Sequence, residues 1–180
     1  MLLIGVVRFG IERTWDIATF GKVSLTLSAS KLVLLFINSI GIVLYPILRR
    51  TDKNKYKDIY NSLRDFLMII LLGILLIYYP FKSILSFWLP QYAESLKYMA
   101  LLFPIIIYEG KMALLINTYL KVLRKENVLL KINMMVLVIS LISTLFTTQI
   151  MKNLDFAMLS ILIIVALRTL YSEVLLSGML

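Results

Sequence analysis

Apolar residues come in long runs along this chain, separated by short polar stretches, and the runs have the length of membrane spans. About 20 predominantly apolar residues, at ~1.5 Å rise each, cross a bilayer core as a helix. The pattern predicts five spanning helices, at roughly 22–48, 65–82, 96–120, 127–149 and 155–177. The expected fold is all-α, a polytopic membrane helix bundle. The first of these helices is expected to be the one the others arrange around. It is not uniformly apolar: Gly21, Ser24, Ser28, Lys31, Asn38 and Gly41 fall at offsets of 3, 4, 3, 7 and 3, one stripe on a 3.6-residue helix. A lysine inside a span is costly against lipid, so the stripe is expected to face protein or a wet cavity. Pro46 is expected to end this span, with Arg49 and Arg50 at the water boundary.

The second run, 66–80, has no charged residue and is placed on the outside of the bundle. After it come Tyr78, Tyr79, Phe81, Phe87, Trp88, Tyr92 and Tyr98, broken by Pro80 and Pro90. This reads as a connection lying in the membrane interface, where aromatic rings collect, with a ligand-stacking box as the alternative. The third run carries Pro104, Glu109, Lys111, Asn117 and Thr118. On the fourth, Asn133, Ser140, Thr144 and Thr147 share a face, as small and hydroxylated residues do where membrane helices pack closely. The fifth has Arg168 near its middle and Glu173 beyond. Residues 1–7 read as the last two turns of a membrane helix whose beginning is missing. Residues 8–21 read as a surface connection, or more sharply as a segment whose Arg8 or Arg13 caps a cavity.

Composition agrees with the pattern. The chain is 61% hydrophobic, with mean hydropathy +0.91, well above the ~45–50% of soluble domains. Absence of cysteine excludes disulfides and thiolate metal sites, and absence of histidine removes the commonest general base and metal ligand. No serine-based nucleophile constellation or phosphate loop is present; Gly21-Lys22-Val23-Ser24 lacks the required spacing. The chain is therefore expected to be no enzyme and to carry no cofactor or metal. The net charge of +9 reads as membrane topology. Six Lys/Arg in 49–64 and three in 121–125 put those connections in the cytoplasm, against two in 81–97 and one in 150–154; Arg8, Arg13 and Lys22 narrow the margin. No basic stripe interleaves with aromatics, so no nucleic-acid partner is expected.

Lys31, Glu109, Lys111 and Arg168 sit inside expected spans. Buried ion pairs that orient helices are one reading; a hydrated, net cationic cavity for an anionic substrate is the other. Three cations against one carboxylate favour the cavity, with Lys31, Arg168, Lys111, Glu109 and Asn38 as candidate lining.

Three stretches then carry a resemblance: 8–15 (Arg-Phe-Gly-Ile-Glu-Arg-Thr-Trp), 20–25 (Phe-Gly-Lys-Val-Ser-Leu) and 45–50 (Tyr-Pro-Ile-Leu-Arg-Arg). Leu89-Pro90-Gln91-Tyr92, Leu102-Phe103-Pro104 and 119–125 extend it. The chain resembles the Wzx-type flippases of O-antigen and capsule repeat units, in the superfamily that includes the MATE exporters. The resemblance implies one partial membrane domain, 1–180: the end of helix 7 and helices 8 to 12 of a two-bundle protein whose first bundle is missing. It implies a multi-pass protein of the bacterial inner membrane that moves undecaprenyl-pyrophosphate-linked oligosaccharide between leaflets. Its partners would be that lipid, the membrane and the other bundle, and alone it is expected not to transport. A MATE-type drug or cation antiporter, a non-transporting scaffold subunit and a membrane glycosyltransferase or polymerase are the alternatives. The last would need a large outer loop or a paired acidic motif, and neither is present.

Overall fold

The computed structural model describes residues 2–88, 100 and 102–180, and everything described is helix or short turn. α1 is Leu2–Thr14, α2 Ile17–Arg50 and α3 Tyr56–Trp88. α4 covers 105–122 in three pieces: Ile105–Lys111, a π-helical turn Met112–Ile116, and Asn117–Val122. α5 is Glu126–Leu145 continued by a second π turn, Phe146–Ile150, and α6 is Leu154–Ser177. Among the described residues three helical stretches are long and apolar enough to cross a membrane: Lys53–Trp88, Glu126–Ile150 and Leu154–Ser177. Of the five expected spans, the fourth and fifth coincide with α5 and α6 to within a residue. The start of the third, with Pro90, Tyr92 and Tyr98, lies outside the described residues.

Three expectations about helix boundaries are overturned. Residues 8–21 are not a loop: α1 and α2 are separated only by Trp15 and Asp16. Asp16 is the cap, its carboxylate accepting from the Thr19 N–H at 3.3 Å and satisfying one orphan donor of α2. Pro46 does not end the first span, and Pro80 does not begin an interfacial connection; both lie inside uninterrupted helices. Proline is tolerated in membrane helices because neighbouring groups re-satisfy the freed backbone. Phe87 and Trp88 therefore sit exposed on the last turn of α3. Pro104, by contrast, does stand at a helix start.

The centre of the bundle is α4, not α2. Leu114, Leu115, Ile116, Tyr119 and Leu120 are all buried, while α2 leaves Leu35, Phe36, Ile40, Ile42 and Val43 exposed. α3 lies outside, packing along α4 through Leu67 and Leu71 and exposing Phe66, Ile69, Leu72 and Leu76. The Tyr119 ring meets Tyr60 and Tyr56 edge-on, at centroid distances of 5.3 and 6.3 Å. Lipid tails are as apolar as leucine, so helices associate here through close packing and polar contacts more than through water exclusion. The Ser140–Thr144 face of α5 supplies such close packing. A methyl group built on Gly10 of α1 would come within 2.5 Å of Thr144 Cγ2 and 3.4 Å of Thr148 Cγ2.

The chain alternates between two ends. At one, Lys53, Tyr56 and Lys57 meet Leu123 and the 179–180 segment. At the other, Gln149 donates to the Thr14 hydroxyl at 3.4 Å, and Trp15 and Leu154 pack on one apolar cluster. The α5–α6 turn there holds Lys152 at φ 47, in the left-handed region. That conformation costs a non-glycine residue roughly 1–2 kcal/mol. Lys152→Gly is expected to raise the unfolding midpoint, by about 0.5–1 kcal/mol after the added freedom of the unfolded chain is subtracted. Thermal unfolding in detergent followed by circular dichroism checks this; a lowered midpoint would count against it.

Candidate functional site: a polar groove between α2 and α4

The lower half of the polar stripe on α2 opens into a groove against α4. Lys31, Asn38, Gly41 and Tyr45 recur along one side of α2, and all four line it. From α4 come Glu109, Ala113, Asn117, Thr118 and Lys121. The groove has two joined parts sharing Asn38, Ala113 and Asn117. One, of about 300 Å³, includes Lys31, Glu109 and Arg168; the other, of about 410 Å³, includes Tyr45, Thr118 and Lys121. From Lys31 to Tyr45 it follows α2 for about 20 Å.

The π turn aligns the α4 side. Glu109, Ala113, Asn117 and Lys121 are spaced by four, and in a regular helix each such step overshoots a full turn by about 40°. A π turn holds more residues per turn, so the step across Met112–Ile116 falls short and offsets the drift of one of the other two steps. Four side chains that would otherwise spiral away thus border one groove.

Arg168 is the most buried charge in the site, its side chain 8% exposed. Its Nη1 donates to Glu109 Oε1 at 3.0 Å and its Nη2 to Asn133 Oδ1 at 2.8 Å, joining α4, α5 and α6. Arg168 Nε and Asn117 Oδ1 are buried and lack a hydrogen-bond partner among the described residues. Lys31, half-buried in the same groove, has no hydrogen-bond or ion-pair partner among the described residues.

Lys31, Arg168, Glu109 and Asn38 are thus brought together, but Lys111 is not. Lys111 lies two residues after Glu109, about 200° round the helix, so it cannot share its face. It pairs with Glu173 Oε2 of α6 at 2.6 Å, while Tyr60 of α3 donates to Glu173 Oε1 at 3.2 Å. Glu173 is therefore a half-buried partner that ties α6 to both α3 and α4. Two of the three expected cavity cations are neutralised by neighbouring carboxylates, which leaves Lys31 as the unmatched one at that end of the groove. Arg8 does not cap the groove: its Nη2 donates to the Ser24 carbonyl and the Ser28 hydroxyl of α2, both at 3.0 Å. Gly21 to Ser24 is regular helix.

Asn117, Thr118, Tyr45, Lys121 and Asn133 were not among the expected site residues. Tyr45 falls seven positions after Asn38, a usable signal; alignment of the α4 residues depends on a π turn that no residue pattern announces. The fold and its surface define an all-α bundle of a membrane protein. No known protein family, curated protein or solved structure matches the chain.

Proposed function

We propose that the α2–α4 groove receives the anionic head of a lipid-linked substrate, and that this bundle is the second half of a flippase for undecaprenyl-pyrophosphate-linked oligosaccharide in the bacterial inner membrane. The observation that carries the reading is Lys31: a cation within a segment expected to span, with no counter-ion among the described residues, lining a polar groove beside Arg168. An intramembrane charge without a partner is costly, and a bound phosphate would offset that cost. Asn38, Asn117, Tyr45 and Thr118 offer hydrogen bonds to what the phosphate carries. The groove lies open along α2, so a second bundle is needed to enclose a substrate, and the basic end would face the cytoplasm.

In the chain reconstituted in vesicles, Lys31→Gln is expected to weaken binding of a polyprenyl pyrophosphate by about tenfold or more, the worth of one charge-assisted hydrogen bond. Lys131→Gln, on the exposed side of α5, should leave it unchanged. Equal binding by both variants overturns the assignment of Lys31; flipping by the chain alone overturns the need for a second bundle. A scaffold reading is favoured by a different observation, the pairing of Arg168 and Lys111 with carboxylates. It predicts no binding of the pyrophosphate lipid by the wild-type chain.

A further inference from the structure

The two ends of the bundle differ in charge, and the difference is concentrated by the fold. At one end α2 finishes with Arg49 and Arg50, and the turn into α3 adds Lys53, Lys55 and Lys57. The turn between α4 and α5 brings Lys121, Arg124 and Lys125 to the same end, since Leu123 borders one recess with Lys53 and Lys57. Eight exposed cations stand there against Asp52, Asp58 and Glu126, and among the described residues no ion pair joins any of them. Among the described residues the opposite end has Arg13, Lys82 and Lys152 against Glu12, Asp16 and Asp155, in balance.

The recess is a pocket of about 440 Å³, lined by Lys53, Asn54, Tyr56 and Lys57 on one wall and by Leu123, Met179 and Leu180 on the other. One wall is cationic and hydrogen-bonding, the other apolar. That combination suits an amphiphile whose phosphate meets the lysines while its glycerol and upper acyl carbons lie on the leucines. Lys53 begins a stretch long and apolar enough to cross a membrane, so the recess sits where that helix would leave the bilayer, at headgroup depth. We infer that this end of the protein binds anionic phospholipid headgroups of its own leaflet, with Lys53 and Lys57 holding the phosphate in the recess between the α2–α3 turn and Leu123. This site is separate from the α2–α4 groove, and the inference does not depend on the transport reading.

The test uses the full chain in nanodiscs of phosphatidylcholine alone or mixed with phosphatidylglycerol, with thermal unfolding and retention of labelled lipid as readouts. Phosphatidylglycerol is expected to raise the unfolding temperature and to be retained, and added salt to reverse both, as surface charge attraction requires. Lys53→Gln and Lys57→Gln should each weaken retention by about fivefold, the worth of one lysine at an anionic surface. The pair Arg13→Gln/Lys152→Gln, at the other end, should have no effect. Equal stabilisation by phosphatidylcholine, equal loss from the opposite-end pair, or full retention in the lysine variants would each overturn the proposal. Inorganic phosphate producing the same stabilisation without lipid would overturn it too, by making this a soluble-anion site.

Discussion

Arg168→Leu is expected to destabilise the bundle by about 3–5 kcal/mol, because it leaves the Glu109 carboxylate buried without its counter-charge. The Asn133 contact is a hydrogen bond from a charged donor, worth about 1.5–3 kcal/mol, so it is the smaller part of the loss. What dominates is the stranded charge. It follows that Arg168→Leu combined with Glu109→Gln should be much milder than the single change, since a buried pair replaced as a unit is often near neutral. Unfolding by a graded denaturing detergent, read by circular dichroism, gives all four corners of the cycle. A single-variant loss below ~1 kcal/mol would mean that the pair is hydrated and screened like a surface ion pair.

The second large effect is steric and lies elsewhere. Gly10→Ala puts a methyl within 2.5 Å of Thr144 Cγ2, a distance that real contacts do not tolerate. Threonine is branched at Cβ and stiff, so α1 must move away from α5, at a cost of about 1–3 kcal/mol. Gly10→Leu should be worse. Two controls separate packing from composition. Nothing lies within 4 Å of a methyl added at Gly73, so Gly73→Ala should be neutral or gain up to ~1 kcal/mol in helix propensity. Thr144→Ser removes the offending methyl and keeps the hydroxyl, so it should restore most of what Gly10→Ala loses. The same unfolding measurement decides it; failure of the rescue would mean that α1 and α5 do not meet at these residues.

Much of the fold was legible because hydropathy reports directly on helices that must hide their backbone from lipid. α5 and α6 were placed by their apolar runs, and the peripheral position of α3 by its lack of charge between 66 and 80. The α1–α2 break was readable in principle, since Asp16 followed by Thr19 is a capping arrangement, but the charges of 8–16 outweighed it. The middle of the bundle was not readable. α4 carries three charges, and its central place comes from contacts with α2, α3 and α6 that no local window contains. In the site, the stripe on α2 pointed to Lys31 and Asn38 because its period is regular. Lys111 was misplaced because counting charges within a span ignores which face each occupies.

The two buried ion pairs have opposite polarity. α4 contributes the carboxylate to one and the ammonium to the other, and α6 answers with Arg168 and then Glu173. Sliding α4 along α6 by about a turn would break both pairs at once, Glu109 from Arg168 and Lys111 from Glu173. Four largely buried charges would then lose their partners together. The two helices are keyed together at a single offset, and any larger motion of the protein must carry them as one rigid strut.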